Sequence, residues 1–200
     1  IGRYAQLHNG YLSAQQLLEF EAQIAAMTQE PDVETAREVS RYTEIRYENI
    51  LFTYKSEDDR PFVTGPLSIS FRPGEIVFVT GGNGSGKSTL LRLLTGLYHA
   101  DSGAFFLNGR EGDIRQCREL FSAIFTDFHL FSSLYGMPDV DEAKLDDLLT
   151  QFQLEKKVRS SQGKFSTLDL STGQKKRLAM IITIMEDKPI YVFDEWAADQ

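Results

Sequence analysis

The chain is poor in cysteine and histidine. Cys117 is the single cysteine among 200 residues, so no disulfide can form within the chain, and this fits a reducing compartment. We interpret Cys117 as a packing residue rather than a nucleophile, because no histidine lies close to it in the sequence. The three histidines, His8, His99 and His129, lack the spacing typical of metal ligands. These absences argue against a disulfide scaffold and against a histidine-based metal centre.

Long apolar runs and an excess of positive charge are also missing. No apolar run in the sequence approaches the roughly 20 residues that a membrane-spanning helix needs. The formal net charge is −8, whereas a protein that grips nucleic acid through its phosphates usually has a basic face. The densest basic cluster, Lys175–Arg177, is explained by a solvated helix face. We therefore expect no nucleic-acid partner.

The most informative stretch that is present is glycine-rich, Gly81–Thr89. It fits the pattern of Gly, four residues, Gly, Lys and Ser, in which backbone N–H groups curl around a phosphate. Lys87 would add a mobile positive charge for the outer phosphates, and the Ser88 hydroxyl would ligate Mg²⁺. The residues assigned to nucleotide binding here are Gly82, Asn83, Gly84, Ser85, Gly86, Lys87, Ser88 and Thr89. The alternative is an ordinary glycine-rich turn.

The sequence around this loop supports the nucleotide interpretation. Glu75–Thr80 is predicted to be a short buried strand, and leucines at helical spacing predict a helix that starts at about Lys87. The N-terminus of such a helix offers free N–H groups and a positive dipole end to phosphates.

A second candidate site element follows an apolar run of strand length, Ile190–Phe193, which suits the middle of a parallel sheet. This strand ends in two carboxylates. Asp194 would hold Mg²⁺, and Glu195 would polarise an attacking water. The alternative is a pair of solvated carboxylates at a strand end.

In the rest of the sequence, the predicted secondary structure changes from helix to strands near Thr43. Residues 1–40 carry a helical apolar stripe, with a linker at Glu30–Thr35. Residues 113–160 are predicted to be mainly helical, and a further helix is predicted after Asp169. Strands are predicted at Glu44–Tyr47, Ile50–Tyr54, Leu67–Phe71 and Ala104–Leu107, the last followed by a turn at Asn108-Gly109, and a polar turn is predicted at Ser56–Arg60.

Between the two candidate site elements lies Leu170–Gln174, which by itself is only a helix cap, with Ser171 or Thr172 as the N-cap. Together, however, the three motifs in this order resemble the nucleotide-binding domain of an ABC (ATP-binding cassette) protein, with Thr172 where that family usually has Gly. The resemblance covers residues 43–200. It implies an α/β fold of the P-loop NTPase type, with an antiparallel β subdomain and a helical subdomain at about 113–172. Residues 1–42 would be the helical end of a membrane domain plus a linker.

The resemblance also implies roles for particular residues. Tyr54 would stack on adenine, and Ala197–Asp199 would lie at a dimer interface. Thr126, with Asp127 after it, stands where the family has a Gln that touches Mg²⁺ and the attacking water. The signature residues Ser171, Gly173 and Gln174 would contact the γ-phosphate held by a second copy, so that a homodimer shares ATP. The catalytic set is then Glu195, Lys87, Thr126 and Asp127, and the metal set is Ser88 and Asp194.

Two segments, Phe121–Phe131 and Phe193–Gln200, resemble the cyclic-peptide and siderophore exporter branch, which includes pyoverdine-type exporters of bacteria. This implies an ATP-hydrolysing motor that powers outward transport at the cytoplasmic face of a bacterial inner membrane. The cargo would contact a membrane domain of the same polypeptide. We expect the 200 residues to be part of a longer protein, with the family's switch histidine beyond them, and to hydrolyse ATP weakly or not at all alone.

Two other functions remain open at this point. One is a soluble ABC ATPase of DNA repair or translation, which the acidic balance disfavours. The other is a non-catalytic nucleotide-binding module, which the Thr126 departure and the truncation leave open.

Overall fold

The structure is a computed structural model that describes residues 42–54 and 62–196. The helix and linker predicted before residue 42, the turn at 56–60 and the segment at 197–199 lie outside the described residues. The helices are α1 (Lys87–Leu94), α2 (Glu142–Gln151) and α3 (Thr172–Glu186), with a 3₁₀ segment at Ile114–Leu120. The strands are β1 (Ile45–Tyr54), β2 (Phe62–Phe71), β3 (Ser102–Leu107), β4 (Arg110–Gly112), β5 (Phe121–Ile124), β6 (Ser160–Ser161), β7 (Lys164–Phe165) and β8 (Ile190–Phe193).

Strands β1 to β4 form an antiparallel sheet in the order β2-β1-β3-β4. The two strands predicted at Glu44–Tyr47 and Ile50–Tyr54 form one strand, β1, whose pairing register shifts near Asn49. Asn49 takes a φ of 51°, so the extra residue is accommodated as a bulge. The turn at Asn108-Gly109 is confirmed and joins β3 to β4, with positive φ at both residues.

The buried face of the antiparallel sheet packs against α1. Ile45, Tyr47 and, after the bulge, Ile50 are the buried residues of β1, and they form a core with Leu93 and Leu94. The Tyr47 hydroxyl donates a hydrogen bond to the Leu94 carbonyl oxygen at 2.5 Å. Burial, and to a smaller degree the neighbouring cysteine, raises the pKa of Tyr47 far above its ordinary value, so the hydroxyl remains a donor. This bond ties the sheet to the end of the helix that follows the glycine-rich stretch, which we call the phosphate loop.

Cys117 lies in the same core and is buried. Burial, with a smaller effect from Asp113, raises the pKa of the Cys117 thiol, so the reactive thiolate is disfavoured. The predicted packing role of this residue is confirmed.

A second core holds the helical part of the chain. Its fully buried members are aliphatic and come from α2, α3 and the loops between them, namely Leu145, Leu149, Leu154, Val158, Leu178 and Ile181. The prediction that residues 113–160 are mainly helical is wrong in part. This stretch contains the 3₁₀ segment and α2, but also strand β5 and a long non-helical segment from 125 to 141. Strand β5 is specified by its parallel partner β8, which is distant in sequence and therefore absent from a local pattern.

The predicted buried strand at Glu75–Thr80 is also wrong. The segment pairs with no described strand, and Ile76 and Phe78 are each 83% exposed. An apolar segment of this length is buried as a strand only when a neighbouring strand supplies hydrogen bonds and a packing face. No described strand does so here.

The Tyr47 hydroxyl gives a test of how the sheet holds α1. We expect Tyr47→Phe to lower the free energy of unfolding by about 1–2 kcal/mol, because the buried Leu94 carbonyl loses its partner. Urea denaturation followed by circular dichroism measures this change. Tyr135→Phe is the matched control, since the Tyr135 ring is exposed and its hydroxyl should contribute less than about 0.5 kcal/mol. Equal losses in the two variants would contradict the role of the Tyr47 bond.

Candidate functional site

The glycine-rich stretch forms a tight loop that leads directly into α1. Helix α1 begins at Lys87, as predicted, and Gly86 is its N-cap with a φ of 87°. Gly84 also has a positive φ, of 75°, and the Ser85 N–H donates to the Gly82 carbonyl at 3.2 Å. Glycine is needed at Gly86 for a second reason. A Cβ atom there would lie 2.6 Å from the ring of Phe62, so the ring of this β2 residue leaves no room for a side chain at Gly86.

The side chain of Lys87 folds back over this loop. Its ammonium donates to the carbonyl oxygens of Gly81 at 3.1 Å and Gly82 at 2.9 Å. Lysine is a flexible point charge with three donors, so it can exchange these carbonyls for phosphate oxygens without moving the helix.

A cavity of about 350 Å³ opens beside the loop, which is within the size range of small-molecule sites. Gly84 and the four residues Gly86–Thr89 line it, together with Tyr54 and Glu195. The structure thus brings together the predicted phosphate-binding, aromatic and carboxylate groups. Gly82, Asn83 and Ser85 belong to the same loop but are not in the cavity wall.

Three residues of the cavity wall were not predicted, namely Phe62, Arg92 and Tyr98. Phe62, the first residue of β2, is the antiparallel partner of Tyr54, the last residue of β1, so the two rings flank the same cavity edge at the hairpin end of these strands. Arg92 lies on α1 and Tyr98 just after it. Arg92 lies four residues after Ser88 and so on the same helix face, which could have indicated it, but nothing local reveals the strand register that brings in Phe62.

Glu195 reaches the cavity from the end of β8 through an unusual backbone conformation, with a φ of 50°. Left-handed φ values are uncommon for residues other than glycine and occur often at functional sites. The preceding residue, Asp194, is 6% exposed and its N–H donates to the Ile124 carbonyl at 2.9 Å. The strand pair therefore fixes the backbone from which both carboxylates project.

Asp194 is buried and is not among the residues that line the cavity. Its Oδ2 accepts a hydrogen bond from Thr126 Oγ1 at 3.2 Å. Among the described residues no cluster of three or more His, Cys, Asp or Glu side chains could hold a metal. The oxygens of Asp194 and Ser88 nonetheless suit Mg²⁺, which keeps several waters and usually takes one or two carboxylates together with phosphates.

Asp127 pairs with a residue of α1 rather than with Asp194. Its Oδ1 accepts from Arg92 Nη2 at 2.8 Å, and the side chain is largely exposed. Thr126 and Asp127, predicted together, therefore have different partners, and only Thr126 contacts a predicted metal ligand.

The signature residues lie at the N-terminus of α3, and they do not line the cavity. Ser171 and Gln174 form a capping box. Ser171 Oγ accepts from the Gln174 N–H at 3.4 Å, and Gln174 Oε1 accepts from the Ser171 N–H at 2.9 Å. A Cβ at Gly173 would meet nothing within 4 Å, so this helix end is open to approach. In a single chain the signature residues and the phosphate loop are separate surfaces.

Comparisons with known proteins agree with this geometry. A sequence model described as "ABC transporter" matches residues 64–198. The chain is 36% identical to the ATP-binding protein SyrD of Pseudomonas syringae pv. syringae, over 97% of the chain and 37% of that protein. It is 30% identical to the ATP-dependent lipid A-core flippase of Pseudomonas fluorescens, over 83% of the chain and 30% of that protein. The chain thus spans about a third of these relatives' lengths.

The fold also has a close match among solved structures. A bacterial Atm1-family ABC exporter with ATP bound superposes with a TM-score of 0.71 at 24% identity, over 94% of this chain and 36% of that chain. At this identity the match establishes the fold. In residues 42–54 and 62–196, no helix has the length and apolar character needed to cross a membrane.

The contact of Gly86 with Phe62 gives a test of the loop geometry. We expect Gly86→Ala to weaken binding of a fluorescent ATP analogue by about tenfold or more, because its methyl group must displace a ring. Gly84→Ala is the matched control. It has the same kind of backbone strain but no atom within 4 Å of the added methyl, and should weaken binding less. Equal weakening in the two variants would contradict a specific contribution from the contact between Gly86 and Phe62.

Proposed function

The chain belongs to the ABC transporter family, and from that premise we propose that it binds ATP with Mg²⁺ and hydrolyses it to power export. The observation that carries this proposal is the single cavity shared by Lys87, Ser88, Tyr54 and Glu195. They supply a cation for the phosphates, a hydroxyl that can ligate a metal, an aromatic ring and a carboxylate, and together these groups suit a magnesium nucleotide.

Each group has a definite task in this proposal. The loop N–H groups and the Lys87 ammonium bind the phosphates, and α1 directs its positive end at them. Tyr54 stacks on the adenine, with Phe62 at the same edge. Ser88 and Asp194 would hold Mg²⁺, which neutralises charge on the β- and γ-phosphate oxygens when bound.

Glu195 orients the water that attacks the γ-phosphorus, in line with the bond to the leaving ADP oxygen. The new P–O bond forms as the old one breaks, and the water proton is released toward the carboxylate. Thr126 supports this step by its hydrogen bond to Asp194, the residue next to Glu195.

We further propose that two copies complete each ATP site. The support is the separation of the signature from the phosphate loop within one chain. The exposed N-terminus of α3 carries Ser171, Gly173 and Gln174. It offers hydrogen-bond donors and a positive dipole end, which suit the γ-phosphate bound to the other copy.

A membrane domain of the same polypeptide is the second proposed partner. Directly after Thr126-Asp127 the chain carries an aromatic ridge, defined here as His129, Phe131 and Tyr135. Their rings meet edge to face at 5.0 and 5.7 Å, and Phe131 and Tyr135 are 58% and 70% exposed. Exposed aromatic clusters of this kind suit a protein contact. The ridge would face the membrane domain at the cytoplasmic side of a bacterial inner membrane.

We propose a peptide-derived cargo, of the cyclic-peptide or siderophore type. The support is the resemblance of Phe121–Phe131 and Phe193–Gln200 to that exporter branch. The similarity to SyrD also extends over more of the chain, at higher identity, than the similarity to the flippase. The cargo would contact the membrane domain and not these residues.

Replacement of the proposed catalytic carboxylate tests the hydrolytic function. We expect Glu195→Gln in the full-length protein to lower the rate of ATP hydrolysis by about a hundredfold or more, with ATP affinity changed by less than about threefold. Phosphate release and equilibrium binding of a fluorescent ATP analogue measure the two quantities. Glu119→Gln is the matched control, because Glu119 lies on the 3₁₀ segment, pairs with Lys188 and is absent from the cavity. An unchanged rate of hydrolysis in Glu195→Gln would contradict the catalytic role of Glu195. A wild-type protein that binds ATP but does not hydrolyse it would favour the non-catalytic module.

The aromatic ridge and the cargo class are tested together. In liposomes that contain the full-length protein, we expect a cyclic lipopeptide or a pyoverdine-type siderophore to raise ATP hydrolysis by about twofold or more, and a linear peptide of equal mass to do less. We expect Phe131→Ser with Tyr135→Ser to abolish this stimulation while the basal rate remains. Tyr191→Leu serves as the aromatic control, because Tyr191 is exposed on β8 and belongs neither to the ridge nor to the cavity wall. Equal stimulation by all three compounds would contradict the cargo class, and stimulation retained in the ridge variant would contradict the ridge contact.

A further inference from the structure

The segment that replaces the family's glutamine is a tight turn with two anchors. The Phe128 N–H donates to the Phe125 carbonyl at 3.2 Å, which makes Thr126 and Asp127 the central residues of the turn. Thr126 bonds to Asp194 at the end of β8, and Asp127 pairs with Arg92 on α1. The turn thus connects the strand end that carries the carboxylates to the helix that carries the phosphate loop.

Arg92 is held on more than one side. Its guanidinium carbon lies 5.2 Å from the ring centroid of Phe125 and 5.9 Å from that of Tyr98. Tyr98 in turn stacks on Phe52 of β1 at 5.1 Å. A planar guanidinium suits this arrangement, because it can stack on rings while its N–H groups bind a carboxylate. Arg92 also belongs to the cavity wall.

The value of this ion pair lies in its position. Asp127 is exposed, and exposed ion pairs contribute little to the stability of a fold. The pair nevertheless links two elements whose relative position decides how the catalytic and phosphate-binding groups meet. Small misplacements at a site of this kind can lower a rate by about a hundredfold.

We propose that Arg92 and Asp127 are positioning residues for the hydrolysis reaction. Their ion pair fixes the turn so that the Thr126 hydroxyl meets Asp194, and through Asp194 it sets the approach of Glu195 to the bound phosphates. This inference rests on the proposed function. It assigns Asp127 a partner on the protein rather than on the metal, so the pair affects the chemical step more than the binding of ATP.

A double-mutant cycle in the full-length protein tests the pair. We expect Arg92→Gln and Asp127→Asn each to lower kcat by about tenfold, with KM for ATP within about twofold of the wild type. The double variant should be no slower than the slower single variant, because both changes break one interaction. Arg92→Lys keeps the positive charge but lacks the planar guanidinium group, so its kcat should lie between those of Arg92→Gln and the wild type. Melting temperatures measured on all variants separate a loss of rate from a loss of fold, and Asp127→Asn is the less disruptive change because that side chain is exposed.

A matched control breaks a similar ion pair elsewhere. Arg72 pairs with Glu44 at 2.9 Å, and neither residue belongs to the cavity wall. Arg72→Gln should leave kcat unchanged. Additive losses in the cycle, a change confined to KM, or a normal kcat in both single variants would overturn the positioning role while wild-type hydrolysis and its dependence on Glu195 remain. A wild-type protein without ATP hydrolysis would overturn the proposed function, and this inference with it.

Discussion

The parallel pairing of β5 with β8 is the constraint on which the candidate site depends. Ile124 stands opposite Phe193, and one further backbone hydrogen bond joins Asp194 to Ile124. The Thr126 hydroxyl and the Asp194 carboxylate, 68 positions apart, are therefore neighbours because two strands end at the same edge. Both carboxylates and the turn that supports them follow from a register of four residue pairs. A shift of this register by one residue would direct the carboxylates to the opposite face of the sheet.

Much of the site was predictable because its signals are local. The phosphate loop, the start of α1 at Lys87 and the cap at Ser171 each depend on residues within one turn of one another. Glycines that must take positive φ, a serine that can accept a backbone N–H, and a lysine after the loop are sufficient to specify these conformations. The order of the three motifs along the chain then indicated the family.

The parts that could not be predicted depend on long-range pairing. Phe62 enters the cavity wall because it stands opposite Tyr54 in the hairpin, and this depends on the pairing of all of β1 with β2. The residues of β5 were predicted to be helical, and they form a strand because β8 pairs with them. The exposed segment at Glu75–Thr80 shows the opposite error, since apolar residues of strand length remain unpaired when no described strand lies beside them. Local composition specifies a preference, and a distant partner decides whether the preference is realised.

The cap of α3 has a chemical consequence for which residues could replace Ser171. Its oxygen uses a lone pair to accept the Gln174 N–H, and this leaves the hydroxyl hydrogen unengaged by that bond. One atom can therefore terminate a helix and donate to an incoming anion at the same time. Aspartate or asparagine would cap the helix equally well. Aspartate, however, has no hydrogen to give and would repel a phosphate, while asparagine would have to place its amide where the hydroxyl now is. Helix stability alone tolerates Ser, Thr, Asp or Asn here, whereas the proposed contact with a phosphate would favour a residue with a hydroxyl.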